Sequence, residues 1–140
     1  MASVLHIFRA PKKRLPMEEL SEVAVVSDFG LAGCAHARRG SKRQVLLVDR
    51  ETLEAIQLQP GNIRENITTD GLNVNGLPVG QKLKIGPTKL IVSAVCTPCD
   101  QLEKVRPGLR REMWGRRGML CRVLEGGIIR RGDPIEKLFN

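Results

Sequence analysis

Residues 90–102 read LIVSAVCTPCDQL, an apolar run that stops at a proline followed by a thiol. Ile91 and Val92 favour a β-strand, because branching at Cβ restricts their rotamers in a helix. Pro98 has no N–H for a strand ladder and biases the residue before it toward an extended conformation. The stretch therefore predicts a strand that ends at the rim of a sheet, with Cys99 on the loop beyond it. A thiol at that position is accessible to a ligand, and Cys99 is the predicted chemical centre.

Short apolar runs and glycine-containing turns lie on both sides of this stretch. Asp70-Gly71 and Asn75-Gly76 are typical turn pairs, and the runs between turns have the length of strands. Asp49 resembles the N-cap of a short helix over residues 50–58, and a second short helix is expected over 107–114. This order predicts a mostly-β fold, a closed barrel-like sheet with two or three short helices. The predicted strands span residues 4–10, 23–26, 44–48, 66–69, 82–85, 90–96, 120–124, 128–130 and 135–138.

Three other segments have simpler local predictions. Residues 18–21 are expected to form a single helical turn, and Gly126-Gly127 is expected to close a hairpin between 120–124 and 128–130. Residues 28–44 contain three glycines among small and basic residues, which is typical of a loop. The basic cluster Lys12–Arg14 is interpreted as part of a solvated loop.

The length and composition predict one domain that spans residues 1–140. A chain of 140 residues with 41% hydrophobic content is large enough to bury a core without disulfides. No apolar run approaches the roughly 20 residues of a membrane helix. The N-terminal segment places its positive charge after a short apolar patch, the reverse of the order in a signal peptide. The cytoplasm is therefore the predicted compartment, with no association with a membrane.

The chain is strongly basic, with a formal net charge of +8. From Lys104 to Arg131 nine Lys or Arg residues stand against two acids, Glu112 and Glu125. Such an excess favours an anionic partner, either a phosphorylated ligand or nucleic acid. Guanidinium groups pair with phosphate in a bidentate way, so the arginines of the 28–44 loop are candidates to bind it. The alternative is that this loop is only a solvated surface segment.

The cysteines at 34, 96, 99 and 121 are open to three interpretations. Cys96 and Cys99 form a C-x-x-C motif, but a redox dithiol is expected in a βαβ setting, which this sequence lacks. Zinc bound by Cys34, His36, Cys96 and Cys99 is disfavoured, because the C-x-H spacing of the first pair is too tight for a typical zinc knuckle. Cys96 shares a strand face with apolar residues and is predicted to be a buried hydrophobe.

The third interpretation treats Cys99 as an accessible thiolate in a positively charged site. Nearby guanidinium groups favour the ionised form of a thiol. A soft thiolate can ligate a soft metal centre or carry a persulfide. The position of Cys99 after a strand, together with the basic segment that follows, favours this interpretation.

Five segments, taken in order, resemble the MOSC domain family, which is related to the C-terminal domain of molybdenum-cofactor sulfurases. The resemblance is strongest over residues 30–138. It implies a mostly-β barrel-like fold with a pocket around Cys99, a residue that the family links to sulfur carriage or to ligation of molybdenum. The segments are GLAGCAHARRG (30–40), QVLLVDRETLEAI (44–56), ENITTDGLNVNGLPVGQKLKIG (65–86), TPCDQLE (97–103) and CRVLEGGIIRRGDPIEKL (121–138).

The resemblance also assigns roles to other residues and shows two departures. His36 matches the histidine of a G-D-x-H segment, and Glu65 and Asn66 match an E-N pair. Cys34 stands where the acid of that segment is expected, and Arg64 stands where a glycine is expected before Glu65. Cys99 is the predicted catalytic residue and metal ligand. The predicted cofactor-binding residues are His36, Arg38, Arg39, Arg43, Glu65, Asn66, Thr68, Arg106, Arg110, Arg111 and Arg117.

These observations lead to two functional hypotheses. The first is a domain that binds molybdenum cofactor (molybdopterin), or carries sulfur on Cys99, in support of a molybdenum-dependent reductase or a sulfur-transfer reaction. A sulfur-donor or electron-donor protein is then expected as a partner. The second is a basic nucleic-acid-binding module with no catalytic role. The sequence weighs against single-strand binding, because it has no Tyr, and Trp114 is the one aromatic residue in its basic region.

Overall fold

The computed structural model describes residues 1–139 as two β-sheets with short helices between strands. The helices are α1 (Arg50–Ala55) and α2 (Leu109–Glu112), with 3₁₀ helices at Val74–Gly76 and Asp100–Lys104. Asp49 caps α1 as predicted, because its side chain accepts the Thr52 N–H. The mostly-β prediction is confirmed. The strands are β1 (Ser3–Arg9), β2 (Glu18–Leu20), β3 (Glu22–Val26), β4 (Gly30–Leu31), β5 (Val45–Asp49), β6 (Ile67–Asp70), β7 (Lys82–Ile85), β8 (Thr88–Val95), β9 (Met119–Glu125), β10 (Gly127–Arg130) and β11 (Ile135–Leu138).

The larger sheet has eight strands in the order β11-β7-β8-β9-β5-β6-β1-β2. Its neighbours are antiparallel except for β5 and β6, which run parallel and are connected through α1. The prediction of a closed barrel is not supported, because within residues 1–139 the ladder begins at β11 and ends at β2 without joining them. An isolated bridge between Ser3 and Pro134 brings β1 next to the segment before β11. This single bridge does not pair the edge strands β11 and β2 with each other.

The second sheet has three strands in the order β10-β3-β4, and it overturns the predicted hairpin between β9 and β10. Strand β10 pairs with β3, with Ile128 opposite Ala24. Gly126 makes this possible, because a Cβ at that position would lie 2.5 Å from the carbonyl oxygen of Val25. The chain therefore passes closely beside β3 after leaving β9, and Ile129 completes the core under the small sheet.

Residues 18–20 form strand β2, and the predicted helical turn at 18–21 is wrong. The strand pairs with β1, with Leu20 opposite Ile7. Glu18 accepts from Arg9 of β1, with 2.8 Å between the Arg9 Nη2 and the Glu18 Oε1. The partner strand β1 satisfies the backbone of this segment, so tertiary context overrides the helix preference of its two glutamates.

Strand β5 lies in the middle of the larger sheet and is buried on both faces. Val45 and Leu47 join a core cluster on one face, whereas Leu46 and Val48 join a second cluster on the other. Burial on both faces explains the continuous apolar run in the sequence. The second cluster contains Leu53 of α1 and Leu109 of α2 and borders the cavity described below. Within the described chain, no helix has the length and apolar character needed to cross a membrane.

Candidate functional site

A cavity of about 430 Å³ opens where β8 ends, next to the loops after β1, β4 and the helix α1. His36, Cys96 and Cys99 line it, and Leu46 and Leu120 form its apolar wall. No Asp or Glu of residues 1–139 is among the lining side chains. Five basic residues are: Lys13, Arg38, Arg43, Arg64 and Arg117. A concave site with cations and no carboxylates favours an anionic ligand.

Cys99 lies on the loop that follows β8, as the proline after the strand predicted. It has extended backbone angles, with φ −127° and ψ 171°, and its side chain is exposed. The 3₁₀ helix Asp100–Lys104 begins at the next residue and is anchored by the buried side chain of Leu102. Cys96 is 4% exposed and belongs to the second core cluster, which confirms its prediction as a buried residue. The two thiols of the C-x-x-C motif therefore have different environments.

Arg117 is the most deeply buried cation of the cavity, at 8% exposure. Its Nη2 donates to the carbonyl oxygen of Ile63 at 2.8 Å. Its Nε and Nη1 are buried without an acceptor among the described residues. An unpartnered buried donor costs free energy, and the cost is larger for a charged group. An anion in the cavity would satisfy these two nitrogens.

Arg64 lies at the end of the loop after α1, in the left-handed region with φ 62°. Its Nη1 donates to the carbonyl oxygen of Leu15 at 2.5 Å. Its Nη2 is buried and has no acceptor in the described chain. Arg64 thus has one unsatisfied buried nitrogen where Arg117 has two, and it lines the same cavity.

Asn66 lines the cavity, but its amide is already engaged by the protein. Its Oδ1 accepts from the Leu46 N–H at 2.9 Å, and its Nδ2 donates to the Phe8 carbonyl oxygen at 3.2 Å and the Cys34 Sγ at 3.5 Å. Both amide protons are therefore used. Asn66 joins β5, β1 and the loop that carries His36, and in this way it shapes the wall of the cavity.

Cys34 lies behind that wall and accepts hydrogen bonds from several donors. The Ala10 N–H is 3.4 Å from its Sγ, and Asn66 and His36 also donate to it. Burial opposes ionisation of the thiol, but the hydrogen bonds from His36 and from the Ala10 amide outweigh it and lower the pKa of Cys34 to about 7. Burial alone raises the pKa of Cys121 to about 12. Cys34 therefore has partial thiolate character near neutral pH.

The sequence of the chain matches the model of the MOSC domain over residues 35–136, which is more than half of its length. The chain belongs to the MOSC domain family. This family is associated with functions related to molybdenum cofactor, and the expected resemblance is confirmed. No curated protein sequence matches the chain.

Solved structures with the same fold share about one fifth of their residues with this MOSC domain. The YuaD protein from Bacillus subtilis is 20% identical with a TM-score of 0.84, covering 100% of this chain and 98% of its own. YiiM from Geobacillus stearothermophilus is 20% identical with a TM-score of 0.83, covering 99% and 76% respectively. YiiM from Escherichia coli is 21% identical with a TM-score of 0.71, covering 96% and 70%. At these identities the likeness shows the fold alone.

Six of the predicted site residues of this MOSC domain meet at the cavity, and six do not. Glu65 and Thr68 are buried and bond each other, with the Thr68 Oγ1 2.9 Å from the Glu65 Oε2, which also accepts the Gly61 N–H. They stabilise the turn before β6 and lie outside the cavity lining. The residues at the cavity are Cys99, His36, Arg38, Arg43, Asn66 and Arg117.

The remaining four arginines have other contacts. The guanidinium carbon of Arg39 is 5.8 Å from the ring centroid of Phe29. Arg106 pairs with Glu112, and Arg110 pairs with Asp100. Arg110, Arg111 and the exposed Trp114 line a separate, open depression on the α2 side of the molecule.

Sequence reasoning missed four polar residues of the MOSC cavity: Lys13, Ser41, Arg64 and Gln101. Lys13 is exposed, as the interpretation of a solvated loop implied, but it also lines the cavity. The signal that could have found Arg64 was its place where a glycine is expected. Within residues 1–139, no three or more His, Cys, Asp or Glu side chains cluster so as to hold a metal ion. A metal in this cavity would have Cys99 as its accessible protein ligand.

Proposed function

We propose that this MOSC domain binds molybdenum cofactor in the basic cavity, with the Cys99 thiolate as ligand to the metal or as sulfur carrier. The observation that supports it is the meeting of one exposed thiol with five cations, and with no carboxylate of residues 1–139, in a cavity of about 430 Å³. The cofactor combines a soft metal centre with a phosphate group. These two features require two kinds of protein group in one cavity.

The residues of the cavity suit both parts of such a ligand. A thiolate is a preferred ligand for a soft transition metal. The unpartnered nitrogens of Arg117 suit a phosphate oxygen, since a charge-assisted hydrogen bond would satisfy a buried donor. When bound, the cofactor supplies two-electron redox chemistry that protein side chains do not provide.

The other residues of the cavity have supporting roles. Leu46, Leu120 and Cys96 exclude water from the wall. His36 lines the edge of the cavity, two residues after Cys34. Cys99 is the exposed thiol of the cavity and is accessible to the metal.

The same thiolate can carry sulfur. It would attack the outer sulfur of a donor protein's persulfide, so that a new S–S bond forms at Cys99 and the donor leaves as a thiolate. The transferred sulfur then remains on Cys99 as a persulfide, and no external oxidant is needed. This version of the proposal requires a sulfur-donor protein, whereas support of a reductase requires an electron donor.

The deciding experiment measures molybdenum and pterin content in protein purified from a host that makes the cofactor. Wild type should retain both, and Cys99→Ser should lose molybdenum while keeping its melting temperature, because a serine hydroxyl is a harder and far less acidic ligand. Val95→Ser is the matched control, since it places the same residue at an exposed position at the end of β8. Molybdenum in Cys99→Ser at the wild-type level would disprove the assignment.

Titration with duplex DNA separates the alternative function. Phosphate contacts along DNA release counterions, so the affinity of a nucleic-acid-binding module falls steeply with salt. Tight, salt-sensitive DNA binding by a protein that retains no cofactor would favour the basic nucleic-acid-binding module.

A further inference from the structure

Arg64 has a backbone conformation that arginine rarely adopts. Its φ of 62° lies in the left-handed region, where a Cβ crowds the backbone and glycine is preferred. The resemblance to the MOSC family also led to the expectation of a glycine here. Such a strained residue persists only when its surroundings or its function require it. The contacts of the side chain indicate what that function is.

The guanidinium of Arg64 connects two segments of the cavity wall. Its Nη1 bonds the carbonyl oxygen of Leu15 and so holds the loop after β1, which carries Lys13 into the cavity lining. Its Nη2 is buried without an acceptor in the described chain. One side of the group is therefore used in structure, and the other retains capacity to bind a ligand.

Arg117 provides the second half of this arrangement. Its Nη2 bonds the Ile63 carbonyl oxygen, one residue before Arg64, while its Nε and Nη1 lack acceptors among the described residues. Both guanidinium groups line one cavity in which no described Asp or Glu opposes them. Two fixed cations with unsatisfied N–H groups match a dianion with several oxygens better than a singly charged one.

We propose that Arg64 and Arg117 form a subsite for a phosphomonoester dianion, closed on one side by Lys13 on the loop that Arg64 holds. The inference deepens the proposed function, since it concerns the same cavity, but it needs neither molybdenum nor Cys99. The phosphate could belong to a pterin cofactor or to another small phosphorylated molecule. A cavity of about 430 Å³ admits such a terminal group. The diester phosphates of a nucleic acid duplex carry one charge each and lie on a surface too wide to enter it.

The test is calorimetric titration of the full chain, purified free of cofactor, with inorganic phosphate and with ribose 5-phosphate at fixed ionic strength. Arg64→Gly should weaken both affinities about tenfold or more. It should leave the melting temperature unchanged or higher, because glycine adopts the left-handed conformation without strain. Arg117→Lys, which keeps the charge but loses the planar donor fork, should also weaken binding.

Arg14→Gly is the matched control. Arg14 also lies in the left-handed region, with φ 67°, and is exposed on the loop after β1, next to Lys13, without lining the cavity. Its substitution removes the same charge and the same backbone strain, so the affinity for phosphate should not change. Equal affinities for phosphate in Arg64→Gly and Arg14→Gly would disprove the subsite. Arg64-dependent binding of duplex DNA without saturable binding of phosphate would also disprove it.

Two outcomes distinguish this inference from the proposed function. If wild type binds phosphate through Arg64 but never retains molybdenum, the subsite stands and the proposed function fails. If molybdenum is retained through Cys99 while Arg64→Gly binds phosphate normally, the proposed function stands and the subsite fails.

Discussion

Cys34 shows how one residue of this chain departs from the family pattern while keeping a related electrostatic role. It replaces the acid expected before His36, yet its sulfur accepts hydrogen bonds from Ala10, Asn66 and His36. A carboxylate at this position would be an anion at neutral pH. The lowered pKa of Cys34, about 7, makes the thiol partly anionic under the same conditions.

This pKa predicts a pH-dependent contribution to stability. The pKa of Cys34 in the folded state lies below its ordinary value of 9.0. The thiolate therefore contributes fully to stability above pH 9, and this contribution is lost as the pH falls through 7. The free energy of unfolding of wild type, relative to that of Cys34→Ser, should therefore increase as the pH rises from 6.5 to 8.5. A gain of at most about 3 kcal/mol over the full range follows from a shift of two units.

Urea denaturation at several pH values measures this gain. Cys121→Ser serves as the control, because burial raises the pKa of Cys121 to about 12 and its thiol stays neutral throughout the interval. A constant difference between wild type and Cys34→Ser over the interval would mean that Cys34 is a neutral thiol.

The sequence predicted part of the site at the level of single residues. Cys99 was predictable because its exposure follows from a local feature, the proline after a strand. Arg64 and Lys13 come from segments about fifty residues apart, and their meeting depends on the bond between Arg64 and Leu15. Local patterns carry no information about such a contact. They also could not show that both amide protons of Asn66 are used within the protein.

At the level of elements, the start of β9 is the most constrained turn near the cavity. Gly118 has φ 103°, and a Cβ there would lie 2.3 Å from the carbonyl oxygen of Leu47. Its carbonyl oxygen accepts the Cys96 N–H, and its own N–H donates to the Asn75 Oδ1. The turn thus fixes the end of β8 and the position of Arg117 relative to β5.

Gly118→Ala should be strongly destabilising, by about 3 kcal/mol or more, because strain and a backbone clash add together. Gly115→Ala measures the backbone strain without the clash. Gly115 has φ 79° but nothing within 4 Å of the position of an added Cβ. Gly115→Ala should therefore lower the free energy of unfolding by about 1 kcal/mol. Urea denaturation of both variants measures the difference. Equal losses would show that β5 and β9 separate easily at this turn.

The elements themselves were predicted better than their pairing. Strands such as Lys82–Ile85 and Ile135–Leu138 have the predicted bounds, because alternation and flanking turns are local. The partner of β10 is β3, about one hundred residues earlier, and a turn motif cannot show that. For the same reason the closed barrel was wrong. Strand composition does not determine whether the edge strands β11 and β2 meet.

At the scale of the whole molecule, β11 pairs with β7 and also contacts the N-terminal segment of the chain. Ile135 is 4% exposed, belongs to the first core cluster and donates its N–H to the carbonyl oxygen of Ala2. Ile135→Ala should therefore cost about 3 kcal/mol of unfolding free energy. Phe139→Ala, at a side chain that is 80% exposed, should change it by less than about 0.5 kcal/mol.

Circular dichroism and Trp114 fluorescence, both followed during urea denaturation, test this prediction and the single-domain prediction together. Coincident transitions are expected for one cooperative unit. A variant in which the two signals separate would show that the sheet around β11 unfolds independently of the segment around α2.

The arrangement of the cavity wall has a consequence for biosynthesis. Its residues extend along the chain from Lys13 to Leu120, and β5 lacks its neighbour β9 until residues 119–121 have been made. A ribosome-bound chain that ends before that point has neither the Arg117 side of the wall nor the strand that supports it. Any ligand of this cavity must therefore be loaded after the residues up to 121 have left the exit tunnel, onto a sheet that is already assembled.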